Sequence, residues 1–482
     1  MNSEHELLDA EGRANLEALA ERLDLAERCQ EFKPLIWDGS ELPRPVLHVE
    51  DFTGIPFLLG VSGVEEYQHR ARCRVLADEM YTAVTPVPGG YEEYCEARLG
   101  LPPTEFIPVD PSGPPLAISE ALSAPGPGRA RLIERAREAG GLQIHPFMGI
   151  ESVWELAAGI GEEAGVPVVV IAPPPPVTWL ANDKENFFAL VRALLGDDFL
   201  VECTASQDPR RLAEALLDLA RRHPRVGLKR LRCASAMGNE VHDARELLEQ
   251  GPQATEARVR AFLERTEWPG DEQVQAVAWE ETEQSPSTQL WIPPLGAGAP
   301  RLDGIYDQIL EGPEKIFIGS RPSRLPKPVH EALSRAALRL AAGLQAAGYR
   351  GRCSMDFLVL GDPAGEFRVC LTECNGRWGG TSTPMKLIDR TLGRPWPPYR
   401  AQDVEHPDLI GVGLPEILER VGDEAYDVHT GRGHFLFYNV GPLARTGKLD
   451  VISIGRTQEE AEAGLEEQLP RLLGISRRTE SG

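Results

Sequence analysis

The stretch that decides the fold is LTECNGRWGG, residues 371–380, together with the two extended segments that lead into it. The segments DFLVL, residues 356–360, and FRVCLTE, residues 367–373, are rich in β-branched, aromatic and other apolar residues. Between them lies the turn-forming sequence GDPAGE, residues 361–366. Two extended segments joined by a turn that contains Gly, Asp and Pro predict a β-hairpin.

Polar side chains cluster at the open end of this predicted hairpin. Side chains alternate between the two faces of a strand, so Glu373, Asn375 and Arg377 point the same way if the strand stays extended, while Cys374 faces away. Folding back about the turn brings Asp356 close to Glu373. Two carboxylates and an amide oxygen suit Mg²⁺, which takes one or two carboxylates and shares its remaining positions with phosphates and water. The alternative is an ordinary strand end whose polar side chains face solvent. The two acids alone do not decide between a metal site and this alternative.

The net charge of the chain indicates which kinds of main partner are not expected. The chain has 482 residues, enough for two to four domains, and its 42% hydrophobic content is ordinary for a globular protein. Its 50 basic and 74 acidic residues give a formal net charge of −24 at pH 7. A chain this anionic is a poor partner for nucleic acid or for an anionic membrane, so we expect neither as the main partner.

The cysteines and the N-terminal segment predict a cytoplasmic protein. Eight cysteines are scattered, with no Cys-x-x-Cys pair and no matching histidine spacing, as is typical of reduced thiols rather than zinc ligands or disulfides. The first 32 residues are charged throughout and lack the apolar core of a signal peptide. No apolar stretch reaches the length that a membrane span needs.

The order of predicted elements indicates an α/β fold. After an amphipathic helix over 7–29, helices alternate with predicted strands at 45–49, 56–63, 82–86, 106–110, 142–147 and 166–171. Four prolines at 173–176 predict a connecting segment there. The later predicted strands are 199–202, 225–231, 274–279, 288–292, 315–319, 434–440 and 449–454, and the clearest later helices are 209–222, 329–347 and 458–473.

A lysine and a loop of small residues form a candidate phosphate site. Lys229 lies on a predicted strand, and ASAMGN, residues 234–239, follows it. Small residues let backbone N–H groups approach phosphate oxygens closely, and the helix after the loop offers its positive end. Ser235, Gly238 and Asn239 are the candidate contacts in this loop. The alternative, a solvated lysine at a strand edge, is the commoner one for a single residue.

Two arginines after the predicted strand 315–319 are further candidates. Guanidinium groups pair bidentately with carboxylate and phosphoryl oxygens, so Arg321 and Arg324 could hold a substrate, and Arg321 is a catalytic candidate. They could equally be surface arginines. The sequence contains no Gly-x-x-x-x-Gly-Lys-Ser/Thr loop, no Gly-x-Gly-x-x-Gly after a strand, no His-Glu-x-x-His and no Gly-x-Ser-x-Gly.

The ordered set of these residues resembles the ATP-grasp ligases. In that family an acid on one strand and a Glu-x-Asn pair on the next hold Mg²⁺ against the ATP phosphates, and Asp356, Glu373 and Asn375 match this pattern. One family lysine lies before a phosphate-covering loop and is similar to Lys229, although the loop here has fewer glycines. Another family lysine starts the preceding helix and is similar to Lys184. The resemblance implies ATP and Mg²⁺ as cofactors.

The resemblance also implies a role for the acidic turn after the predicted strand 274–279. In the family, backbone groups of this hinge bind the adenine and a nearby acid binds the ribose hydroxyls. Trp279 begins the turn, and Glu280, Glu281 and Glu283 are all candidates for the ribose contact. Each acid could instead belong to a polar turn. The matched elements run from residue 182 to about 384, which is less than half of the chain.

The order of regions is similar to one bacterial branch of the family, the peptide ligases with a pre-ATP-grasp domain, of the pheganomycin type. This similarity implies an ATP-grasp fold between two smaller domains. The expected division is an N-terminal pre-ATP-grasp α/β domain over 1–178, an ATP-grasp nucleotide-binding and catalytic domain over 179–400, and a small C-terminal α+β domain over 401–482.

The implied reaction is the ATP-dependent joining of an amino-acid-like carboxylate to an amine or peptide, in peptide natural-product biosynthesis. The carboxylate would become an acyl phosphate, Arg377 would stabilise the developing negative charge, and the amine would displace phosphate. The alternatives are an ATP-grasp phosphotransferase or carboxylase, and a nucleotide-binding protein without catalysis. The sequence defines neither substrate nor the oligomeric state, for which a homodimer is one option.

Overall fold

Three β-sheets organise the chain in this computed structural model, which describes residues 7–40, 45–55, 58, 63–109, 117–232, 238–312 and 315–476. One sheet is parallel and has five strands. A second, antiparallel sheet has four strands, and a third, also antiparallel, has eight. The mixture of a helix-flanked parallel sheet and antiparallel sheets confirms the predicted α/β (α+β) class.

The parallel sheet occupies the N-terminal third of the chain. Its strand order is β3-β2-β1-β4-β5. The strands are β1 (Val46–Val49), β2 (Met80–Ala83), β3 (Glu105–Pro108), β4 (Leu142–Pro146) and β5 (Val168–Val170). The helices of this region are α1 (Ala10–Arg22), α2 (Leu25–Arg28), α3 (Tyr91–Ala97), α4 (Ile118–Ser123), α5 (Pro127–Ala139) and α6 (Glu151–Ala164).

Two expectations for this region differ from the structure. A 3-10 helix, Val64–Cys73, precedes β2, and β2 begins at Met80, two residues before the predicted strand 82–86. The predicted strand 56–63 lies largely outside the described residues. The prolines at 173–176 are not only a connection, because α7 (Pro175–Asn182) begins with two of them. Proline fits the first turn of a helix, where its missing N–H would have no partner.

The four-stranded sheet follows α8 (Lys184–Leu194) and has the order β6-β9-β7-β8. Its elements are β6 (Cys203–Ser206), α9 (Pro209–Ala220), β7 (Arg225–Arg230), β8 (Asn239–Asp243), α10 (Ala244–Arg265) and β9 (Val274–Ala278). The strand predicted at 199–202 lies four residues later, and β8 was not predicted. Helices α9 and α10 pack on the sheet through their own apolar cluster.

The eight-stranded sheet has the order β14-β13-β10-β11-β12-β15-β17-β16. Its first six strands are β10 (Pro286–Ile292), β11 (Arg301–Glu311), β12 (Ile316–Pro322), β13 (Gly351–Gly361), β14 (Phe367–Asn375) and β15 (Tyr399–Glu405), with α11 (Lys327–Ala346) and α12 (Ser382–Thr391) between them. Strand β11 was not predicted. The hairpin of β13 and β14 confirms the prediction from residues 356–373.

The C-terminal region completes this sheet rather than starting a new one. It contains α13 (Leu414–Val421), β16 (Phe435–Asn439), α14 (Leu443–Thr446), β17 (Lys448–Ile454), α15 (Gln458–Ala463) and α16 (Leu469–Leu473). The expected boundary at 400/401 falls inside β15, which pairs with β12 on one edge and β17 on the other. The boundary at 178/179 falls inside α7. The three-domain division stays a prediction.

The described helices include none that is both long enough and apolar enough to cross a membrane. The cysteines in the described part of the chain are all free thiols, in agreement with the expectation that they form no disulfide framework.

Candidate active site

The register of the β13–β14 hairpin places the predicted cluster together. Asp356 and Glu373 are direct cross-strand partners, and Asn375 lies opposite Ser354. The register shifts by one residue just before this point, so Thr372 is the extra residue of a β-bulge. Because the bulge precedes Glu373, the alternation of faces is regular from Glu373 onward, and Glu373, Asn375 and Arg377 line the same cavity.

Direct contacts join the members of this cluster. The amide Nδ2 of Asn375 donates to Asp356 Oδ2 at 3.0 Å and lies 3.5 Å from Glu373 Oε1. The guanidinium of Arg377 donates to Asn375 Oδ1. Asn375 thus turns its nitrogen, not the predicted oxygen, toward the two carboxylates. The physical reason is that two carboxylates accept hydrogen bonds and attract the donor end of the amide.

The two carboxylates form a place where a cation is favoured. Oδ1 of Asp356 is buried and has no hydrogen-bond partner among the described residues. Burial and the neighbouring charge of Glu373 raise the pKa of Asp356 to about 7. The described residues contain no group of three or more His, Cys, Asp or Glu side chains that could hold a metal. Two carboxylates with an unsatisfied oxygen therefore fit Mg²⁺, which needs few protein ligands, rather than a closed zinc site.

Lys184 is the cation nearest to this cluster. Its Nζ lies 3.1 Å from Glu373 Oε2, and the residue is 5% exposed. It opens α8, whose N-cap Asp183 accepts hydrogen bonds from the backbone N–H groups of Glu185 and Asn186. Burial by itself raises the pKa of Glu373, but the ammonium of Lys184 and the guanidinium of Arg377 outweigh it and lower that pKa.

One cavity, which we call the hinge cavity, lies between the four-stranded and eight-stranded sheets and has a volume of about 160 Å³. Several predicted residues line it together: Lys184, Lys229, Asn239, Trp279, Glu280, Asp356 and Glu373. Gly227 on β7 explains the position of Trp279, because a Cβ there would come within 2.9 Å of the indole ring. The Nζ of Lys229, two residues along the same face, lies 4.8 Å from the Trp279 ring centroid.

The structure separates the three acids of the predicted hinge. Only Glu280 lines the hinge cavity, where it lies 3.8 Å from Arg368 and 3.9 Å from His223. Glu281 is largely exposed and pairs with Arg225 on β7 at 3.0 Å. Glu283 lines a neighbouring depression instead. A connection that leaves a strand end turns successive side chains in different directions, so adjacent acids do not share a site.

The predicted phosphate loop is described only at its end. Ser235 lies outside the described residues. The Gly238 carbonyl accepts a backbone hydrogen bond from Arg230 at 2.9 Å, which closes the β7–β8 connection. Asn239 is the cross-strand partner of Lys229.

Arg321 does not join the carboxylate cluster. It lines the depression that contains Glu283, where it pairs with Asp307 at 3.6 Å and Glu462 at 2.5 Å. Arg324 pairs with Glu459 at 2.6 Å. Asp307 is the cross-strand partner of Arg321, and this local pairing keeps the guanidinium in that depression rather than in the hinge cavity. The catalytic role expected for Arg321 therefore has no support from the geometry.

A second cavity, which we call the hairpin cavity, has a volume of about 250 Å³ and shares Asp356 and Glu373 with the hinge cavity. Its far wall comes from residues that the sequence did not single out: Arg70 and Tyr67 from the 3-10 helix, Phe147 after β4, and Asp403, Lys448 and Asp450 from β15 and β17. One sequence signal could have found Phe147, because ligands of parallel sheets bind beyond the carboxyl ends of the strands.

Two anchors fix the segment after β14. Asn182, at the end of α7, accepts from Gly376 N at 3.0 Å and donates to Gly376 O at 3.3 Å. Trp378 N donates to Phe147 O at 3.0 Å, and its indole Nε1 lies 3.2 Å from His145 Nε2. These contacts tie Arg377 to the parallel sheet on one side and to α7 on the other.

No protein-family model and no curated protein sequence matches the chain. Solved structures do match. An N5-carboxyaminoimidazole synthetase from Staphylococcus aureus complexed with ADP has a TM-score of 0.52 at 9% identity, over 90% of this chain and 99% of that one. The chain has an ATP-grasp fold.

Two further structures share this ATP-grasp fold. An N5-carboxyaminoimidazole ribonucleotide synthetase from Thermus thermophilus gives a TM-score of 0.50 at 14% identity, over 90% of this chain and 99% of that one. A biotin carboxylase from Campylobacter jejuni, in a beta-gamma-ATP complex, gives 0.50 at 12% identity, over 88% and 90%. At these identities the likeness shows the fold alone. It confirms the fold that the resemblance implied, and the carboxylate hairpin and both cavities lie within it.

Proposed function

We propose that the chain is an ATP- and Mg²⁺-dependent ligase that joins a carboxylate to an amine. The observation that carries this proposal is that two cavities meet at one pair of carboxylates, Asp356 and Glu373. One cavity has the lysines and the aromatic ring that suit a nucleotide. The other has room for a small substrate next to Arg377. A group that passes from a ligand in one cavity to a ligand in the other would cross beside this pair.

The hinge cavity is the proposed nucleotide site. Lys184 and Lys229 supply two positive charges that suit a triphosphate, and Trp279 supplies an aromatic wall. Glu280 is the proposed ribose contact because it alone of the three acids lines the cavity. Two of the solved structures of this fold, from Staphylococcus aureus and Campylobacter jejuni, were obtained with ADP or an ATP-type ligand, and this agreement supports the assignment.

Asp356 and Glu373 are the proposed metal ligands, and Asn375 would join them if its amide oxygen turned from Arg377 toward the two carboxylates. Mg²⁺ bound there would neutralise charge on the transferring phosphoryl group. The chain's own residues do the remaining work. Lys184 lies against Glu373 and keeps that carboxylate ionised, and Arg377, linked to Asn375, lies where it can stabilise negative charge on the phosphoryl group or on a tetrahedral intermediate.

The proposed reaction has two steps. A carboxylate oxygen of the first substrate attacks the γ-phosphorus of ATP, the bond to the β-phosphate oxygen breaks, and ADP and an acyl phosphate form. The amine then attacks the acyl carbon, phosphate leaves, and the amine proton goes to solvent or a nearby base. Peptide natural-product biosynthesis is the proposed context, with an amino-acid-like carboxylate as the first substrate.

A carboxylase is the second candidate. All three of the similar structures described above are named for carboxylation chemistry, two carboxyaminoimidazole synthetases and a biotin carboxylase. Such an enzyme would use bicarbonate as the carboxylate. A phosphotransferase and a nucleotide-binding protein without turnover remain further outcomes of the same test.

The test is ADP release from ATP and Mg²⁺ with pairs of amino acids and short peptides, with and without bicarbonate, followed by mass spectrometry of the product. A ligase yields ADP and an amide in equal amounts. Lys229→Met should raise the KM for ATP about tenfold or more, whereas Lys327→Met, at an exposed helix start, should not. Bicarbonate dependence would favour the carboxylase, a phosphorylated product the phosphotransferase, and ATP binding without ADP release the non-catalytic alternative.

A further inference from the structure

Arg70 lies in the hairpin cavity inside a cage of aromatic rings. Its guanidinium carbon is 5.2 Å from the Phe52 ring centroid, 5.6 Å from that of Tyr67 and 5.5 Å from that of Phe147. Three rings within about 6 Å hold a guanidinium in place without using its hydrogen-bond donors. Arg70 is thus positioned by stacking, and its donors stay available.

Most guanidinium donors of Arg70 have no hydrogen-bond partner among the described residues. Within the described residues its only hydrogen bond goes from Nε to Glu50 Oε2, at 3.4 Å. Glu50 is fully buried and lies closer to a second guanidinium, that of Arg74, at 2.5 Å. One carboxylate therefore serves two guanidinium groups, and it lies nearer to Arg74 than to Arg70. Arg70 lines the cavity and Arg74 does not, so the guanidinium with the longer contact to Glu50 is the one at the cavity.

The two acids on the same wall of the cavity have other partners. Asp403 pairs with Lys448 at 2.7 Å, and Asp450 accepts from Asn439 at 3.0 Å. Neither acid forms an ion pair with Arg70 within 4.0 Å among the residues that the structure describes. A ligand anion could therefore reach the two terminal nitrogens of Arg70 while its Nε stays paired with Glu50.

We propose that Arg70 binds a free carboxylate on the amine co-substrate, so that this co-substrate is an amino acid or a peptide with a free C-terminal carboxylate. The inference rests on the proposed ligase function. Arg377, near the reacting group, is 5.9 Å from the same Phe147 ring that stacks on Arg70. The cavity thus has two guanidinium groups. Arg377 is bonded to Asn375 of the carboxylate cluster, whereas Arg70 has no hydrogen bond to that cluster among the described residues, so Arg70 suits a carboxylate that does not react. A guanidinium fork pairs bidentately with such a group.

The experiment is equilibrium binding by calorimetry, in the presence of ADP, of proteinogenic amino acids and dialanine against their carboxamides. Arg70→Gln removes the fork and leaves Glu50 paired with Arg74, so we expect the variant to fold. Arg70→Lys keeps the charge without the fork. Arg210→Gln, at an exposed position on α9, is the matched control. Thermal unfolding of each variant checks that it is folded.

We expect at least one free acid to bind about tenfold or more tightly than its carboxamide, since bidentate charge-assisted pairs contribute at about this level. This preference should fall below about threefold in Arg70→Gln, take an intermediate value in Arg70→Lys and stay unchanged in Arg210→Gln. Equal binding of acids and carboxamides to the unmodified protein, or a preference that survives in Arg70→Gln, overturns the assignment.

The source of the carboxylate is tested with succinate against succinamic acid. If Arg70→Gln abolishes a preference for the second carboxylate of succinate and leaves amino acids unaffected, Arg70 serves the acid substrate and the proposal for the amine is wrong. The ligase proposal fails in a different way. Arg70-dependent binding without ADP release from any pair contradicts the ligase, and ADP release with equal use of acids and carboxamides contradicts only the role of Arg70.

Discussion

Replacing Glu373 by glutamine tests the centre of the proposed site. The change keeps the shape of the side chain and removes one of the two carboxylates. Lys184 would exchange a charged acceptor at 3.1 Å for a neutral one. Such an exchange costs about 1 kcal/mol of folding stability, and cavity water reduces that further because Glu373 is 31% exposed. The expected change in the unfolding midpoint is therefore about 2–4 °C or less.

The effect on turnover should be much larger than the effect on stability. Removing one preorganised charge from a phosphoryl-transfer site lowers kcat by about 100- to 1000-fold. The loss of the Glu373 charge also removes one of the two causes that raise the pKa of Asp356, so that pKa should fall from about 7 toward its ordinary range. A site with one carboxylate should bind Mg²⁺ more weakly, and ATP binding should become less sensitive to Mg²⁺.

Two assays measure this. A coupled assay of ADP release across a range of Mg²⁺ concentrations gives kcat and the Mg²⁺ requirement. Calorimetry measures how much Mg²⁺ strengthens ATP binding, even in a variant without turnover. Glu366→Gln, in the exposed turn of the same hairpin, is the matched control. A Glu373→Gln enzyme that keeps kcat within tenfold of the wild type and the same Mg²⁺ dependence would refute the metal assignment.

Three further predictions follow from packing, burial and anchoring. Gly227→Ala should weaken ATP binding and cost about 1–3 kcal/mol, because the new Cβ would lie 2.9 Å from the Trp279 ring and 2.8 Å from a backbone oxygen. Asp450→Asn should stabilise the fold by about 1–3 kcal/mol at pH 8. Burial raises the pKa of Asp450 from 3.8 to about 6, so the wild-type protein loses free energy of unfolding as pH rises between these values, and the neutral asparagine avoids this loss. Asn182→Ala should cost about 1–3 kcal/mol and lower turnover, because Gly376 loses both of its hydrogen bonds to that side chain.

Denaturant unfolding and ATP titration check these three changes against matched controls. Gly126→Ala, where a Cβ meets open space, should change neither quantity. For Asp450→Asn, a stability gain that is as large at pH 3.5 as at pH 8 would contradict the titration argument. Asn15→Ala removes one exposed hydrogen bond to a backbone carbonyl, and turnover in Asn182→Ala equal to that of this control would contradict the anchoring role.

The carboxylate cluster could be predicted from sequence because local rules determine it. Alternation along a strand and a turn between two extended segments bring Asp356, Glu373 and Asn375 together whatever the rest of the chain does. The bulge at Thr372 and the direction of the Asn375 amide did not follow from those rules. The bulge depends on the backbone pairing across the hairpin, and the amide direction depends on hydrogen bonds to the carboxylates. A pattern of residue types contains neither kind of contact.

Some predictions were wrong and some strands were not predicted, because tertiary pairing can override local sequence preference. Strand β8, NEVHD, is polar, and it is a strand because it pairs with β7. Strand β11 includes Gly304 and three acidic residues, yet it lies between two partners in the middle of the sheet. The first turn of α7 is proline-rich, and only its position at a helix start makes those prolines acceptable.

The hairpin cavity shows why the substrate is harder to predict than the chemistry. Asp356 and Arg377 are 21 residues apart by their numbers, but Arg70 and Lys448 reach the same cavity from opposite ends of the chain. They meet because Trp378 is bonded to Phe147 of the parallel sheet, and because β15 and β17 extend the eight-stranded sheet past the predicted boundary at residue 400. A change in either contact would alter the substrate wall and leave the carboxylate pair in place. Under the proposed function, substrate preference could therefore change among chains of this fold while the proposed phosphoryl-transfer residues stay the same.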